Sequence, residues 1–219
     1  SNEFVDEHIQ DLSFSPNDDI LLIGVSNISN ENISRLYFVE TEKWSFTNSS
    51  YFEFNGKMTS GDISPDGFYY VVSITGTTSN DILIFDIQNR NIVQNLSNPH
   101  ASGISKIEFS PDGNYFATND LDSKLVLWDA SNWSLIREIT DYNTGFKSFS
   151  LSNTRLAALT FQQGGTSKII TWNHTDWSNH TIYTSKTATS ITFSPNGSLI
   201  AVSSFEGVEI RNADGSGNP

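Results

Sequence analysis

The chain has 219 residues, 25 of them acidic and 12 basic, a formal net charge of −13, and no cysteine. Such an acidic balance argues against a reader of the phosphate backbone, which depends on clustered Lys and Arg, and the missing cysteine excludes disulfides, thiol catalysis and cysteine-ligated zinc or iron–sulfur clusters. No window approaches the roughly 18–20 consecutive apolar residues of a membrane helix, and the length fits a single all-β domain over 1–219.

In chain order, a short segment at 2–6 precedes Ile9, Leu12 and Phe14, which run into Ser15-Pro16-Asn17. Strands are predicted at 20–25, 36–39 and 51–54, with Glu40 opening the polar turn before the last. The arrangement then repeats. Met58, Gly61 and Ile63 lead into Ser64-Pro65-Asp66-Gly67, with strands at 69–74, 82–85 and 91–96 and Asp86 at the turn. Ile104, Ile107 and Phe109 lead into Ser110-Pro111-Asp112-Gly113, with strands at 115–118, 125–128 and 135–139 and Asp129 at the turn. Phe146, Phe149 and Leu151 lead into a proline-free copy, Ser152-Asn153-Thr154, with strands at 156–161, 169–172 and 181–185 and Asn173 at the turn. Ala188, Ile191 and Phe193 lead into Ser194-Pro195-Asn196-Gly197, with strands at 199–203 and 208–210 and Asn212 at the turn.

The steps between marker positions 16, 65, 111, 153 and 195 are 49, 46, 42 and 42 residues. The runs are β-branched and aromatic, bounded by Asn, Asp, Gly, Ser and Pro, and no stretch holds a helical apolar period. A four-stranded unit of this size cannot bury both faces alone and must stack on copies of itself, for which the radial solution is a β-propeller.

At the third copy the residues resemble the WD-repeat family: His100 before the first strand, Ser110-Pro111-Asp112-Gly113, Thr118 on the second strand, Asp122 in the next turn and Leu127-Trp128-Asp129 on the third. The resemblance implies a hydrogen-bonded set of His100, Thr118, Asp122 and Trp128 that links strands within a blade, a structural arrangement and not a catalytic triad. Elsewhere Trp-Asp becomes Val39-Glu40, Phe85-Asp86, Trp172-Asn173 and Arg211-Asn212. The expected architecture is an all-β, five-bladed β-propeller of four-stranded antiparallel blades, at about 8–54, 57–97, 103–140, 145–185 and 187–212 plus 2–6. The ring is closed by the N-terminal strand joining the last blade, because 2–6 stands before Ile9 as 181–185 stands before Ala188.

The sequence offers little chemistry. Asp62 and Glu108 fall between the last two apolar residues of successive first strands, where Ser13, Ser150 and Thr192 stand in the other copies. Two carboxylates about 5–9 Å apart suit glycoside hydrolysis, whereas a polar residue here is also tolerated where blades meet a wet channel. Trp44, Trp133 and Trp177 each lie four residues past the acidic or Asn position, as candidate ligand-face aromatics or as caps over their own hairpins. Asn-X-Ser/Thr sequons occur at Asn27, Asn32, Asn48, Asn95, Asn132, Asn173, Asn179 and Asn196, a mild excess over composition that makes them candidate N-glycosylation sites and leans toward an extracellular or cell-surface location over a cytoplasmic one. The expected function is a non-catalytic interaction or structural scaffold that takes a protein partner or self-assembles, without cofactor, metal, nucleic acid or membrane span. A carbohydrate-binding or cell-surface structural module is the first alternative, and a glycan-active enzyme with central carboxylates the second.

Overall fold

The computed structural model describes residues 7–30, 32–42, 51–76, 79–120, 123–140, 145–161, 167–184 and 187–217. The chain divides into two compact units, Ser1–Ile107 and Glu108–Pro219. The first unit holds two four-stranded antiparallel sheets. One is β1 (Glu7–Phe14), β2 (Ile20–Asn27), β3 (Ile33–Glu40) and β4 (Tyr51–Asn55); the other is β5 (Lys57–Ile63), β6 (Tyr69–Thr75), β7 (Asn80–Asp86) and β8 (Asn91–Leu96). The division falls within β9 (Ile104–Phe109), first strand of the third sheet, which continues as β10 (Tyr115–Asp120), β11 (Lys124–Asp129) and β12 (Leu135–Thr140). The second unit goes on with β13 (Phe146–Leu151), β14 (Arg155–Phe161), β15 (Ser167–Asn173) and β16 (Asn179–Thr184). A three-stranded sheet of β17 (Ala188–Phe193), β18 (Leu199–Ser204) and β19 (Gly207–Asn212) follows. In every sheet sequence neighbours are spatial neighbours.

Each residue of the marker turn has a separate backbone task. The serine N–H donates to the carbonyl five residues on, Ser15 to Ile20 at 2.8 Å, Ser64 to Tyr69 at 2.8 Å, Ser110 to Tyr115 at 2.9 Å and Ser194 to Leu199 at 2.9 Å. The same residue's N–H returns a bond to the serine Oγ at 2.9–3.0 Å. The Asp or Asn side chain accepts from that hydroxyl in three of the turns, as in Ser110 to Asp112 at 2.7 Å and Ser194 to Asn196 at 2.8 Å. Gly67, Gly113 and Gly197 sit at φ of 78°, 73° and 69°, the left-handed region where only glycine is free of strain, and Asp18 takes the same place at 61°. The proline-free copy keeps the serine device in a tighter loop, Arg155 N–H donating to Ser152 Oγ at 3.0 Å.

Between sheets the packing is apolar. In the first unit Leu22, Leu36 and Phe38 meet Met58, Ile63, Tyr70, Val72 and Phe85. In the second, Ala117, Leu125 and Leu127 meet Phe146, Phe149 and Leu151, while Ala157, Leu159 and Ile169 meet Ala188, Ile191 and Ile200. Each Leu, Ile, Val, Phe or Met among them taken out of water contributes about 1.5–3 kcal/mol. Two stripes depart from this. On β1, Ile9, Leu12 and Phe14 are 54%, 57% and 53% exposed, although their counterparts on β5 and β13 (Met58, Ile63, Phe146, Phe149, Leu151) are buried. On β19, Val208 and Ile210 are 69% and 43% exposed, where the equivalent Leu125, Leu127 and Ile169 are fully buried. The expected closing strand at 2–6 lies outside the described residues.

Candidate interaction surface

The marker turn and the turn after the third strand lie at one end of each sheet, because both close hairpins of a four-strand meander. A backbone bond joins them in all five sheets: Thr41 N–H donates to Asp19 O, Ile87 to Phe68, Ala130 to Asn114, His174 to Thr154 and Ala213 to Ser198, all at 2.9–3.0 Å. The second turn is a four-residue loop in which Trp133 N–H donates to Asp129 O at 2.8 Å and Trp177 N–H to Asn173 O at 2.9 Å. Trp133 and Trp177 therefore sit at φ of 62° and 58°, and Arg90 at the equivalent position at 53°. A bulky residue is held there against steric cost, on the order of 1–3 kcal/mol, by what its side chain contacts. Trp133 is half-buried 6.2 Å from the Phe116 ring. Trp177 is half-buried beside His174, with the Arg137 guanidinium 5.2 Å from its ring centroid. Trp133 packs over its own sheet, Trp177 also reaches Arg137 on β12 of the preceding sheet, and both leave one part in water. Trp44 and Asn48 lie outside the described residues.

Of the four residues in the expected intrablade set, Trp128 Nε1–H donates to Thr118 Oγ1 at 3.0 Å, with both side chains buried and the Trp128 indole stacked on Phe116 at 5.8 Å. His100 is buried in the first unit, and Asp122 lies outside the described residues.

In the second unit the polar position of the first strand stitches one sheet to the next. Glu108 Oε1 accepts from Ser150 Oγ and from the Leu151 N–H, both at 3.0 Å, and Ser150 Oγ in turn accepts from Phe193 N–H at 3.3 Å. In the first unit the same work falls to a different residue. Asp11, half-buried on β1, accepts from Tyr70 Oη at 2.7 Å and from Ser13 Oγ at 3.1 Å. Burial pushes the Asp11 carboxyl up against the pull of those two hydroxyls, and burial beside Asp11 holds the Tyr70 phenol well above its ordinary value. A Cβ on Gly61 would lie 2.1 Å from Tyr70 Oη, so the glycine is there to admit the phenol. The signal was present as a lone glycine in an otherwise apolar triplet, but its partner nine residues on carried no mark.

Burial lowers the His174 imidazole to about 4, against a smaller upward pull from Asp112. Its ring lies 4.9 Å edge-on from Tyr115, and neither of its buried nitrogens has a hydrogen-bond partner among the described residues. Among the described residues no group of three or more His, Asp or Glu is arranged to hold a metal. At the last turn the Ser216 hydroxyl, and after it the Ser216 N–H that donates to Asp214 Oδ1 at 2.9 Å, keep the Asp214 carboxyl low. The sequon asparagines Asn32, Asn95, Asn132, Asn179 and Asn196 are exposed, and Asn27 and Asn173 are half-buried.

Comparison with known proteins bears on the fold and the repeat. Residues 91–129 match the WD domain, G-beta repeat family. That stretch opens with β8 and ends with β11, so the family's repeat is phased one strand ahead of the sheet. Protein tipD of Dictyostelium discoideum is 26% identical over 121 residues, 53% of this chain and 19% of that protein. The putative guanine nucleotide-exchange factor SED4 of Saccharomyces cerevisiae is 28% identical over 135 residues, 59% of this chain and 12% of that protein. The chain thus spans less than a fifth of either relative. Among solved structures, hydrazine synthase of Kuenenia stuttgartiensis superposes with a TM-score of 0.64 at 18% identity, over 87% of this chain and 54% of that one. The β-propeller domain of Myceliophteria thermophila Cps50 (Swd1) superposes with a TM-score of 0.63 at 13% identity, over 92% of this chain and 82% of that one. At those identities the likeness is one of fold.

Proposed function

We propose that this chain, a member of the WD-repeat β-propeller family, is a non-catalytic scaffold that binds a protein partner through turns held at one end of its sheets. The family is the general warrant, since WD-repeat propellers are typically interaction platforms. The observation that carries the reading is the fate of Glu108, one of the two carboxylates the sequence offers for chemistry. Its Oε1 is occupied by Ser150 and Leu151, which makes it a structural acceptor between sheets. Rigid turns joined by backbone bonds are the kind of support on which loop specificity is built. Cross-linking of the protein in its native setting tests this: cross-links from the turn ends of the sheets to one protein are expected. Turnover of a glycan, or capture on a glycan array without any protein cross-link, would overturn it.

The five-bladed ring belongs to the same proposal. Residues 2–6 supply the fourth strand of the last sheet, and support comes from β19, whose Val208 and Ile210 stand exposed at the outer strand of the three-stranded sheet. Deleting 1–6 is then expected to lower the melting temperature far more than deleting 214–219, and equal losses would sink the closure. Export rests on the sequons alone: glycan-sized increments in the intact mass of native-source protein are expected, and an unmodified mass would return the chain to the cytoplasm.

A further inference from the structure

We propose that a cleft between the marker turns of the first two sheets is a docking site for a partner segment carrying Lys or Arg next to a large apolar side chain, an inference that rests on the scaffold reading and names the partner's chemistry. The cleft has a volume of about 460 Å³ and lies wholly within the first unit. Pro16, Ile20, Phe68 and Ile87 supply its apolar surface, and Asp19 and Asp66 its charge. That volume is within the range of ordinary binding pockets and suits two or three side chains.

Phe68 is the feature that turn geometry does not explain. It is 58% exposed, yet the residue at the same place in the other Ser-Pro marker turns is Asp19, Asn114 or Ser198. Nothing in the hairpin requires an aromatic ring there. The site is also preformed, which lowers the cost of binding. Ile87 N–H is tied to Phe68 O at 2.9 Å, and a Cβ on Gly67 would lie 3.2 Å from Pro16 Cδ, so the two turns are already in contact.

Charge selects the occupant. Asp66 takes both of its hydrogen bonds, from Ser64 Oγ at 2.5 Å and Phe68 N–H at 3.0 Å, on Oδ1. Asp19 accepts from Asn17 Nδ2 at 2.7 Å. Among the described residues no Lys or Arg lines the cleft. Arg90 on the neighbouring turn is directed to Glu40 at 3.2 Å and lies 5.8 Å from the Phe38 ring centroid. Over the whole unit 14 acidic residues face 5 basic ones. An acidic segment would be repelled, and a purely apolar one would leave the carboxylates without a counter-charge.

The test is an amide-shift titration of the intact chain with acetyl-Arg-Leu-Lys-Phe-amide and, in parallel, acetyl-Glu-Leu-Glu-Phe-amide. With the basic peptide, saturable shifts are expected at Asn17, Asp19, Gly67, Phe68 and Ile87, weakened by added salt, and the acidic peptide should leave those amides in place. Phe68→Ser, and separately Asp19→Asn with Asp66→Asn, should each weaken binding by about tenfold or more. Asn17 and Asn196 already occupy the Asp66 position in other turns, so the amide variant keeps the turn intact. Equal shifts with both peptides, shifts confined to another surface, or variants that bind like the parent would overturn the cleft. Those results would leave the scaffold reading standing, because that reading fails on glycan turnover or on the absence of a cross-linked protein, neither of which this titration reads.

Discussion

Tyr70→Phe removes one oxygen from the interface between the first two sheets and isolates what that oxygen does. Tyr70 is fully buried, and its Oη donates to Asp11 Oδ2 at 2.7 Å. A hydrogen bond to a charged acceptor is worth about 1.5–3 kcal/mol net, and the backbone of Gly61 packed on the hydroxyl leaves no room for water to replace it. Ser13 alone then serves the carboxylate, at 3.1 Å. For a chain of this size each kcal/mol moves the midpoint by about 2–4 °C, so a loss of roughly 2 kcal/mol lowers it by about 4–8 °C near pH 7. The pH dependence has a definite sign. Burial raises Asp11 above 3.8, so between that value and its folded pKa the native state holds more protons than the unfolded chain, and stability falls as pH rises through the window. The Tyr70 bond opposes the shift; without it the window reaches to higher pH. The variant's deficit should therefore be larger near pH 7 than near pH 3.5, where a protonated Asp11 makes the lost bond a neutral one worth about 0.5–1.5 kcal/mol. Thermal unfolding followed by circular dichroism at both pH values measures this, and Asp11→Asn completes a double-mutant cycle. A deficit below about 1 °C at neutral pH, or the same deficit at both, would refute the reasoning.

Further expectations follow from the turns and stitches. Asp18→Gly relieves a φ of 61° and should raise the urea midpoint by the equivalent of about 0.5–1 kcal/mol, whereas Gly67→Ala at 78° should lower it by at least as much. Glu108→Ala removes the acceptor shared by Ser150 and Leu151 and should cost about 2–3 kcal/mol by urea unfolding; Glu108→Gln, which keeps an acceptor oxygen, should cost less. His174 is held near 4, below the 6.5 of an exposed imidazole, so the unfolded chain gains a proton first as pH falls and stability drops between those values. His174→Phe should flatten that part of the stability–pH profile, as read by unfolding at a series of pH values.

The strands were legible because the marker turn writes its geometry into residue types. Ser has to supply a hydroxyl that accepts and donates, Asp or Asn a carbonyl-like acceptor, and Gly a left-handed φ, so the turns could be found and the apolar runs between them read as strands. Even the proline-free copy was legible, because Ser152 keeps the one group the turn cannot do without. Sheet-to-sheet contacts were not legible. Gly61 and Tyr70 matter to one another only through the stacking of sheets, and Gly24 likewise stands where a Cβ would meet Met58 Sδ at 2.1 Å. A single sequence shows a small residue in a strand but not what presses on it.

The polar and aromatic positions divide according to whether the fold already uses them. Glu108 and Ser150 read as tolerated polarity because a carboxylate's partner in another sheet is invisible in sequence, and the structure commits them to bonds about forty residues away along the chain. Trp133 and Trp177 read as a shared face because their offsets agree; the structure adds a left-handed backbone that costs free energy and packing that offsets it. Arg90 holds the same conformation with no indole, so the loop itself does not specify tryptophan. What the loop leaves open, the neighbouring side chains decide, and in the two tryptophan loops they decide for packing. Phe68 is the opposite case: the turn does not need it, and more than half of it stays in water beside two carboxylates. A residue that the fold can spare is where recognition has room to operate, which is why the proposed docking site is drawn at the first two sheets and not at the tryptophans.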